Sequence, residues 1–416
     1  MAEQKYWRER LRLDGDIDGC EFGDSVAGSD THIVAGDSCN YYAKVYDNAG
    51  TFLYRLDSPE VEPYYYGLCV AINSTYIYVG DAEYNDYGAV YIYDLSGALV
   101  NTIYGTAVRQ IGQTIAVSET HLASGYEDTP EVVVFNIDGT TLLGTVPSDG
   151  NNYFGRMVAL TDDHVFVHST ATVSGQYGAG SVVAYDLATF SLVRTILPST
   201  PEAYAYFGEG MSAKNGVLII GRSAPSTASI YSTDGTFVSD IPCPDCSNSG
   251  RFGSNVYVGD TYAMLVNMDD YKNEPAVYMH TLAGAHVWTI HMARQSGSDL
   301  SSTGEQFLSM TGTTALIGGD DIGEGAVLML DQESYFDFSA AYDIDEQVIV
   351  SYDAVYDIGE QEVHDFDVVY GVDEIKEYID FNITYSVKGR LAMIPFDVIY
   401  GLPTEKKAIV IKRVNS

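Results

Sequence analysis

The sequence predicts an all-β protein: a seven-bladed β-propeller closed by its N-terminal strand, followed by a small antiparallel β domain. Three observations carry that prediction. A glycine preceded by an aromatic or aliphatic residue returns at intervals of 43 to 53 residues. Each return opens a unit of short segments with strand-like apolar alternation. Beyond residue 334 the period falls to 14 or 15 residues.

The pair stands at Phe22-Gly23, Tyr66-Gly67, Ile111-Gly112, Phe154-Gly155, Phe207-Gly208 and Phe252-Gly253, with a degenerate seventh at Thr303-Gly304. Four positions after each first member comes an apolar residue: Val26, Val70, Ile115, Val158, Met211, Val256 and Phe307. A second apolar run ends on Gly36, Gly80, Gly125 and Gly221, with Gly318 one place later; His168 and Asn267 replace the glycine in two units. The second half of each unit, as in "GAVYIYDLSGALVNTI", reads as two alternating strands around a tight turn. Four strands in about 45 residues make one propeller blade.

The last unit ends at "GAVLMLD", residues 325–331, one strand short. The N-terminal "KYWRERLRLDGDIDGCEFG" lies in the register of "GTFLYRLDSPEVEPYYYG". Residues 5–13 are therefore expected to supply the missing strand, making 1–331 the propeller. Closure of this kind removes two exposed sheet edges. The glycine of each pair marks crowding at the entry of the innermost strand. The late glycine is expected to permit a tight turn.

The Phe-Gly element and the later "IVAGD" and "IYVGD" resemble the FG-GAP repeats of integrin α subunits and of bacterial and viral surface proteins, over residues 5–331. The resemblance implies an adhesion propeller, and that family often carries a DxDxDG calcium loop. Here the string is Asp14-Gly15-Asp16-Ile17-Asp18-Gly19, with Glu21 beyond, and it precedes Phe-Gly. Asp14, Asp16, Asp18 and Glu21 are thus candidate calcium ligands; the alternative is an acidic interblade turn.

In 334–416, five segments align on Tyr342, Tyr356, Tyr370, Tyr385 and Tyr400. One strand plus a turn cannot bury its own apolar face. These repeats must form a meander or sandwich, or pack against other copies, and are expected to anchor or oligomerise the chain. They resemble the strand-and-turn repeats of viral fibre shafts, and their "FDVVYGV" strings resemble those of marine tailed-phage virion proteins.

The charge is lopsided, with 58 acidic against 21 basic residues and a net −37. Such a field repels phosphate backbones, so no nucleic-acid partner is expected. The N-terminus lacks the apolar core of a secretory signal. No apolar run approaches the roughly 18 residues that span a bilayer, so no membrane insertion is expected. Of five cysteines, Cys243 and Cys246 form "CPDC", read as a turn with or without a local disulfide. Synthesis in a reducing cytoplasm, without a disulfide framework, is expected.

None of the eight histidines has ligand spacing; His32, His121 and His164 recur at one repeat position and read as structural. No nucleophile elbow, P-loop or dinucleotide fingerprint occurs in a valid context. A non-enzymatic protein is therefore expected: a structural and attachment protein of a virion. Its expected partners are a host-surface glycan or protein, other virion proteins, and copies of itself through 334–416. The alternatives are a cellular FG-GAP-type adhesin or lectin at the extracellular surface, and a propeller-based glycan lyase or hydrolase. A lyase would need Tyr, His and Arg converging near the axis.

Binding is expected where interblade loops share a face with the loops between second and third strands, because those segments vary most. The candidates are Tyr65, Tyr66, Tyr84, Tyr87, Tyr204, Tyr206, Asp269, Asp270 and Tyr271. Tyrosine supplies flat apolar area and a hydroxyl, and Asp supplies acceptors, a mixture suited to sugars or protein partners.

Overall fold

The computed structural model describes residues 3–16, 22–61, 63–107, 110–127, 131–222, 227–244, 251–267, 276–291, 308–312, 314–319, 326–336, 353–357, 370–371, 382–387, 390–393, 396–401 and 408–413. The chain divides into two compact units, Lys5–Glu333 and a second made of Met1–Gln4 with Ser334–Ser416.

The first unit is a seven-bladed β-propeller of four-stranded sheets. Blades 1 to 6 run over residues 22–57, 66–104, 114–147, 158–196, 211–242 and 256–291. Within each, consecutive strands pair antiparallel, innermost to outermost. Blade 7 takes its three inner strands from Leu308–Thr311, Thr314–Gly319 and Ala326–Phe336, and its outer strand is Glu3–Asp14. The two ends of the propeller sequence thus meet in one sheet. Among the described residues, no helix is long and apolar enough to cross a membrane.

The apolar alternation has a direct structural cause. Successive side chains of a strand point to opposite faces, and each face of a blade packs on a different neighbour. Ile33 joins Phe22, Leu316 and Val327 on the blade 7 side, while Val34 joins Val70, Val79 and Tyr91 on the blade 2 side. Seven such clusters fill the seven interblade seams. Each fully buried large side chain contributes about 1.5–3 kcal/mol, so the seams hold most of the propeller's stability.

The paired glycine has positive φ in every described copy, for example +92° at Gly23 and +96° at Gly67. A Cβ at Gly67 would also meet the Tyr42 carbonyl oxygen of the preceding blade at 2.6 Å. The late glycine does a different job from the expected tight turn. A Cβ at Gly36 would stand 1.9 Å from the Gly67 oxygen, and one at Gly80 2.2 Å from the Gly112 oxygen. The late glycine of one blade therefore lets the next blade's backbone come close. In blade 4 His168 fills this position, against Gly208 of blade 5.

Cys39 and Cys243 each take part in a disulfide bond, where the sequence led to the expectation of no disulfide framework and left the Cys243 turn open to one. The second unit holds two three-stranded sheets. In one, Asn382–Val387 pairs parallel with Asp353–Asp357 and antiparallel with Arg390–Met393; in the other, Ala408–Arg413 pairs antiparallel with Phe396–Gly401 and Tyr370–Gly371.

Candidate functional site

Because the four strands of a blade alternate in direction, the interblade loops and the loops between second and third strands emerge at one end of the ring. This loop face carries most of the unusual backbone. Nine described non-glycine residues have positive φ, and seven of them lie here: Tyr41, Asn85, Asp86, Tyr153, Ser174, Tyr204 and Tyr206. A bulky residue in that region is strained, and such strain collects at functional sites.

Two tyrosine clusters stand on this face. In the first, Glu60 accepts hydrogen bonds from the Tyr84 hydroxyl (2.9 Å) and the Tyr104 hydroxyl (3.0 Å), whose rings lie 5.7 Å apart. Tyr84, Asn85, Gly88, Tyr104 and Gly105 line a cleft of about 220 Å³. The Glu60 bond raises the Tyr84 pKa; for Tyr104 desolvation acts first and Glu60 second. Tyr64, Tyr65 and Tyr87 are exposed beside it. Buried Asp81 positions this loop by accepting the backbone N–H groups of Tyr64 and Tyr65 at 3.4 and 3.1 Å. Burial raises its pKa against those bonds.

In the second cluster, Tyr204 is 58% exposed and lies 5.6 Å from Tyr177 and 6.4 Å from Tyr206, ring to ring. Tyr204 N–H donates to the Tyr177 oxygen and Tyr206 N–H to the Gly178 oxygen, which fixes the loop in its left-handed turns. Burial first, and neighbours that include Tyr153 and Glu209 after it, raise the Tyr206 pKa, while Arg251 pairs with Glu209 at 2.8 Å. Arg156 has the Tyr153 ring 5.5 Å from its guanidinium and Glu127 at 3.9 Å. Burial first, and the Glu83 and Glu127 carboxylates after it, raise the Tyr126 pKa. A track of tyrosines and charged groups therefore runs from blade 2 to blade 6.

The sequence candidates divide. Tyr65, Tyr84, Tyr87, Tyr204 and Tyr206 lie on the loop face with at least part of the side chain accessible. Tyr66 does not belong to it. It is fully buried, its hydroxyl 2.8 Å from that of Tyr93, because it occupies the anchor position that Phe22 fills in blade 1. Asp269, Asp270 and Tyr271 lie outside the described residues. Sequence reading missed Tyr153, Arg156, Tyr177 and Glu60. The residue after each Phe-Gly pair varies as Asp24, Leu68, Gln113, Arg156, Glu209 and Ser254, and that variation was the available signal for Arg156.

Of the candidate calcium ligands, Asp18 and Glu21 lie outside the described residues. Asp14 pairs with Arg12 at 2.7 Å, and Asp16 pairs with Lys44 at 2.6 Å and Arg55 at 3.5 Å. Both carboxylates face protein cations. Among the described residues no group of three or more His, Cys, Asp or Glu is placed to hold a metal ion.

Solved structures share this architecture. A streptogramin B lyase is matched over 79% of this chain and 98% of its own, with TM-score 0.56 and 13% identity. A catalytically inactive virginiamycin B lyase from Staphylococcus aureus, with quinupristin, is matched over 79% and 99%, with TM-score 0.57 and 11% identity. The WD40 β-propeller domain of Doa1 is matched over 78% and 97%, with TM-score 0.53 and 11% identity. At these identities the likeness shows the fold alone. The sequence matches no family model and no curated protein.

Two expectations are corrected here. The FG-GAP resemblance resolves into a β-propeller similar to lyases and WD40 domains, and the phage-fibre resemblance gains no support. The exclusion of enzymatic activity also falls, because lyases are built on this fold. The structure supplies a physical reason as well. Tyr153 and Arg156 come from an interblade loop and His168 from the second strand of blade 4, and the Gly155 N–H to His168 oxygen bond (3.3 Å) joins the two segments. Convergence across strands leaves no linear motif.

Proposed function

We propose that this propeller is a recognition protein whose loop face binds a glycan. One observation carries the reading: Tyr41, Tyr153, Tyr204 and Tyr206, at the mouths of blades 1, 4 and 5, all hold left-handed backbone on the same face. Tyr204 is the most exposed of the four, and Tyr41 is also open to solvent. Stacking platforms set by a rigid scaffold, with Glu60 and Asn85 beside them as hydrogen-bond partners, suit the alternating apolar and hydroxyl faces of a sugar. The shared fold with a WD40 β-propeller domain supports a binding role.

An oligosaccharide array followed by calorimetry tests the reading. Tyr84→Ala and Tyr204→Ala should each weaken the best binder about tenfold or more, one lost stacking contact being worth roughly 1–3 kcal/mol. Absence of any binder, or variants that bind as the parent does, overturns it. The setting we propose is a virion appendage, with residues 334–416 as the anchoring module; the repeated strands of that module support it. Particles that fail to label with antibody against this chain would exclude the setting.

A second reading is favoured by the Tyr153, Arg156 and His168 cluster: a glycan lyase or hydrolase acting at the same face. Incubation with the bound glycan decides it. Shortened products that disappear in Tyr153→Phe establish turnover; an unchanged glycan confines the site to binding.

A further inference from the structure

We infer that Arg156 is the anchor for a carboxylate, so that the glycan bound on this face is an acidic one containing uronic acid residues. The inference rests on the recognition reading and names the ligand class of the same site.

The Arg156 guanidinium has hydrogen-bonding capacity left over. Arg156 is the residue after Phe154-Gly155, at the entry of the innermost strand of blade 4 and so at the mouth of the central channel. Its side chain is only 21% exposed. A buried guanidinium normally spends its donors, because leaving them unpaired is costly. The two other arginines of this part of the face do so. Arg251 donates to Glu209 at 2.8 Å, and Arg222 donates to the Thr227 hydroxyl at 2.6 Å and to the Thr200 carbonyl at 3.2 Å. The Arg156 guanidinium donates no hydrogen bond to a described residue. Its Nε is buried without a partner, and Glu127 stops at 3.9 Å, beyond hydrogen-bond range.

The surroundings hold the guanidinium open for a ligand. The Tyr153 ring lies over it at 5.5 Å, positioned by a left-handed backbone at φ +57°. Beneath it both ring nitrogens of buried His168 also lack partners. Tyr206 and Tyr204 continue the wall toward blade 5. A planar carboxylate is the group that a guanidinium fork recognises best. In a protein of net charge −37 a cation at a channel mouth, with one carboxylate 3.9 Å away and no hydrogen bond to it, is set against the general field. That local reversal favours an acidic ligand held at one point over a neutral one held by stacking alone.

Calorimetry on the full chain with galacturonate oligomers, their methyl esters and a poly-glutamate peptide tests the assignment. The acid should bind about tenfold more tightly than the ester, the scale of one charge-assisted contact. Arg156→Gln should erase that preference without weakening the ester. Glu127→Gln, which removes the competing carboxylate, should strengthen binding of the acid, and this gain guards against a variant that merely unfolds. Equal binding of acid and ester, or an Arg156→Gln protein that keeps the preference, overturns the inference while the recognition reading stands. If neither oligomer binds, both fall. Peptide binding that depends on Arg156, with no oligomer binding, overturns the glycan assignment.

Discussion

Gly318 meets Gly23 across the seam of the ring: a Cβ added to Gly318 would stand 2.0 Å from the Gly23 carbonyl oxygen. The same relation holds between Gly36 and Gly67, and between Gly80 and Gly112, so the last blade docks on the first as each docks on the next. Substitution should therefore cost stability in order of closeness. Gly36→Ala and Gly80→Ala should each lose about 1–3 kcal/mol, the usual cost of overpacking. Gly125→Ala, whose Cβ would lie 2.6 Å from the Gly155 oxygen, should lose less. Urea unfolding midpoints measure the order, and a flat series would refute it.

Lys44 is a buried cation holding the ring closure. Its Nζ lies 2.6 Å from Asp16 Oδ1 and 3.1 Å from the Asp14 carbonyl, with the Phe22 ring 5.1 Å away. Lys44→Met should destabilise the propeller by about 1–3 kcal/mol, less than for a fully buried pair because Asp16 is partly exposed. The Lys44 hydrogen bond leads the effects that hold the Asp16 pKa below its usual 3.8. A depressed carboxyl pKa adds stability that is full above the unfolded value and lost as pH falls through the folded one. The gap between parent and Lys44→Met should thus be widest near neutrality and shrink below about pH 4.

His168 gives a second pH signature, of different origin. Burial first, and Arg156 second, push its pKa from 6.5 down to about 3. The folded state keeps the ring neutral while the unfolded chain protonates it. Stability should therefore be full above pH 6.5 and decline from there toward pH 3. His168→Asn should flatten that segment of the curve. A parent protein with equal unfolding midpoints at pH 7 and pH 5 would contradict the assignment.

Tyr204 should show stability and binding moving in opposite directions. At φ +58° the backbone favours glycine. Tyr204→Gly should relieve strain of about 1 kcal/mol or more, raising the unfolding midpoint. It should also remove the exposed ring and weaken ligand binding. A Tyr204→Gly protein that is less stable than Tyr204→Ala would remove the case for strain at this loop.

The blades were legible because every seam repeats one demand. An apolar anchor, a glycine with positive φ and, in most blades, a second glycine facing the next backbone recur where two sheets stack. The outer strand missing after residues 325–331 and its supply from near the N-terminus were legible for the same reason. The site was less so. Tyr66 reads like its neighbour Tyr65 in sequence, yet it fills a Phe position and is buried; aligning it with Phe22 separates the two. Glu60, Tyr84 and Tyr104 come from an interblade loop, an inner loop and an outer strand, and only the register of the blade brings them together. The left-handed tyrosines carry no mark at all, because backbone strain at a non-glycine residue is imposed by its surroundings.

The outer strand Glu3–Asp14 is translated before the six complete blades, but its partner Ala326–Phe336 follows all of them. On the ribosome the opening dozen residues must wait, unpaired, through the synthesis of six other sheets. Until then the nascent chain shows two raw edges open to neighbouring polysomes. Closure of the ring is thereby committed only once the seventh blade is made, rather than blade by blade.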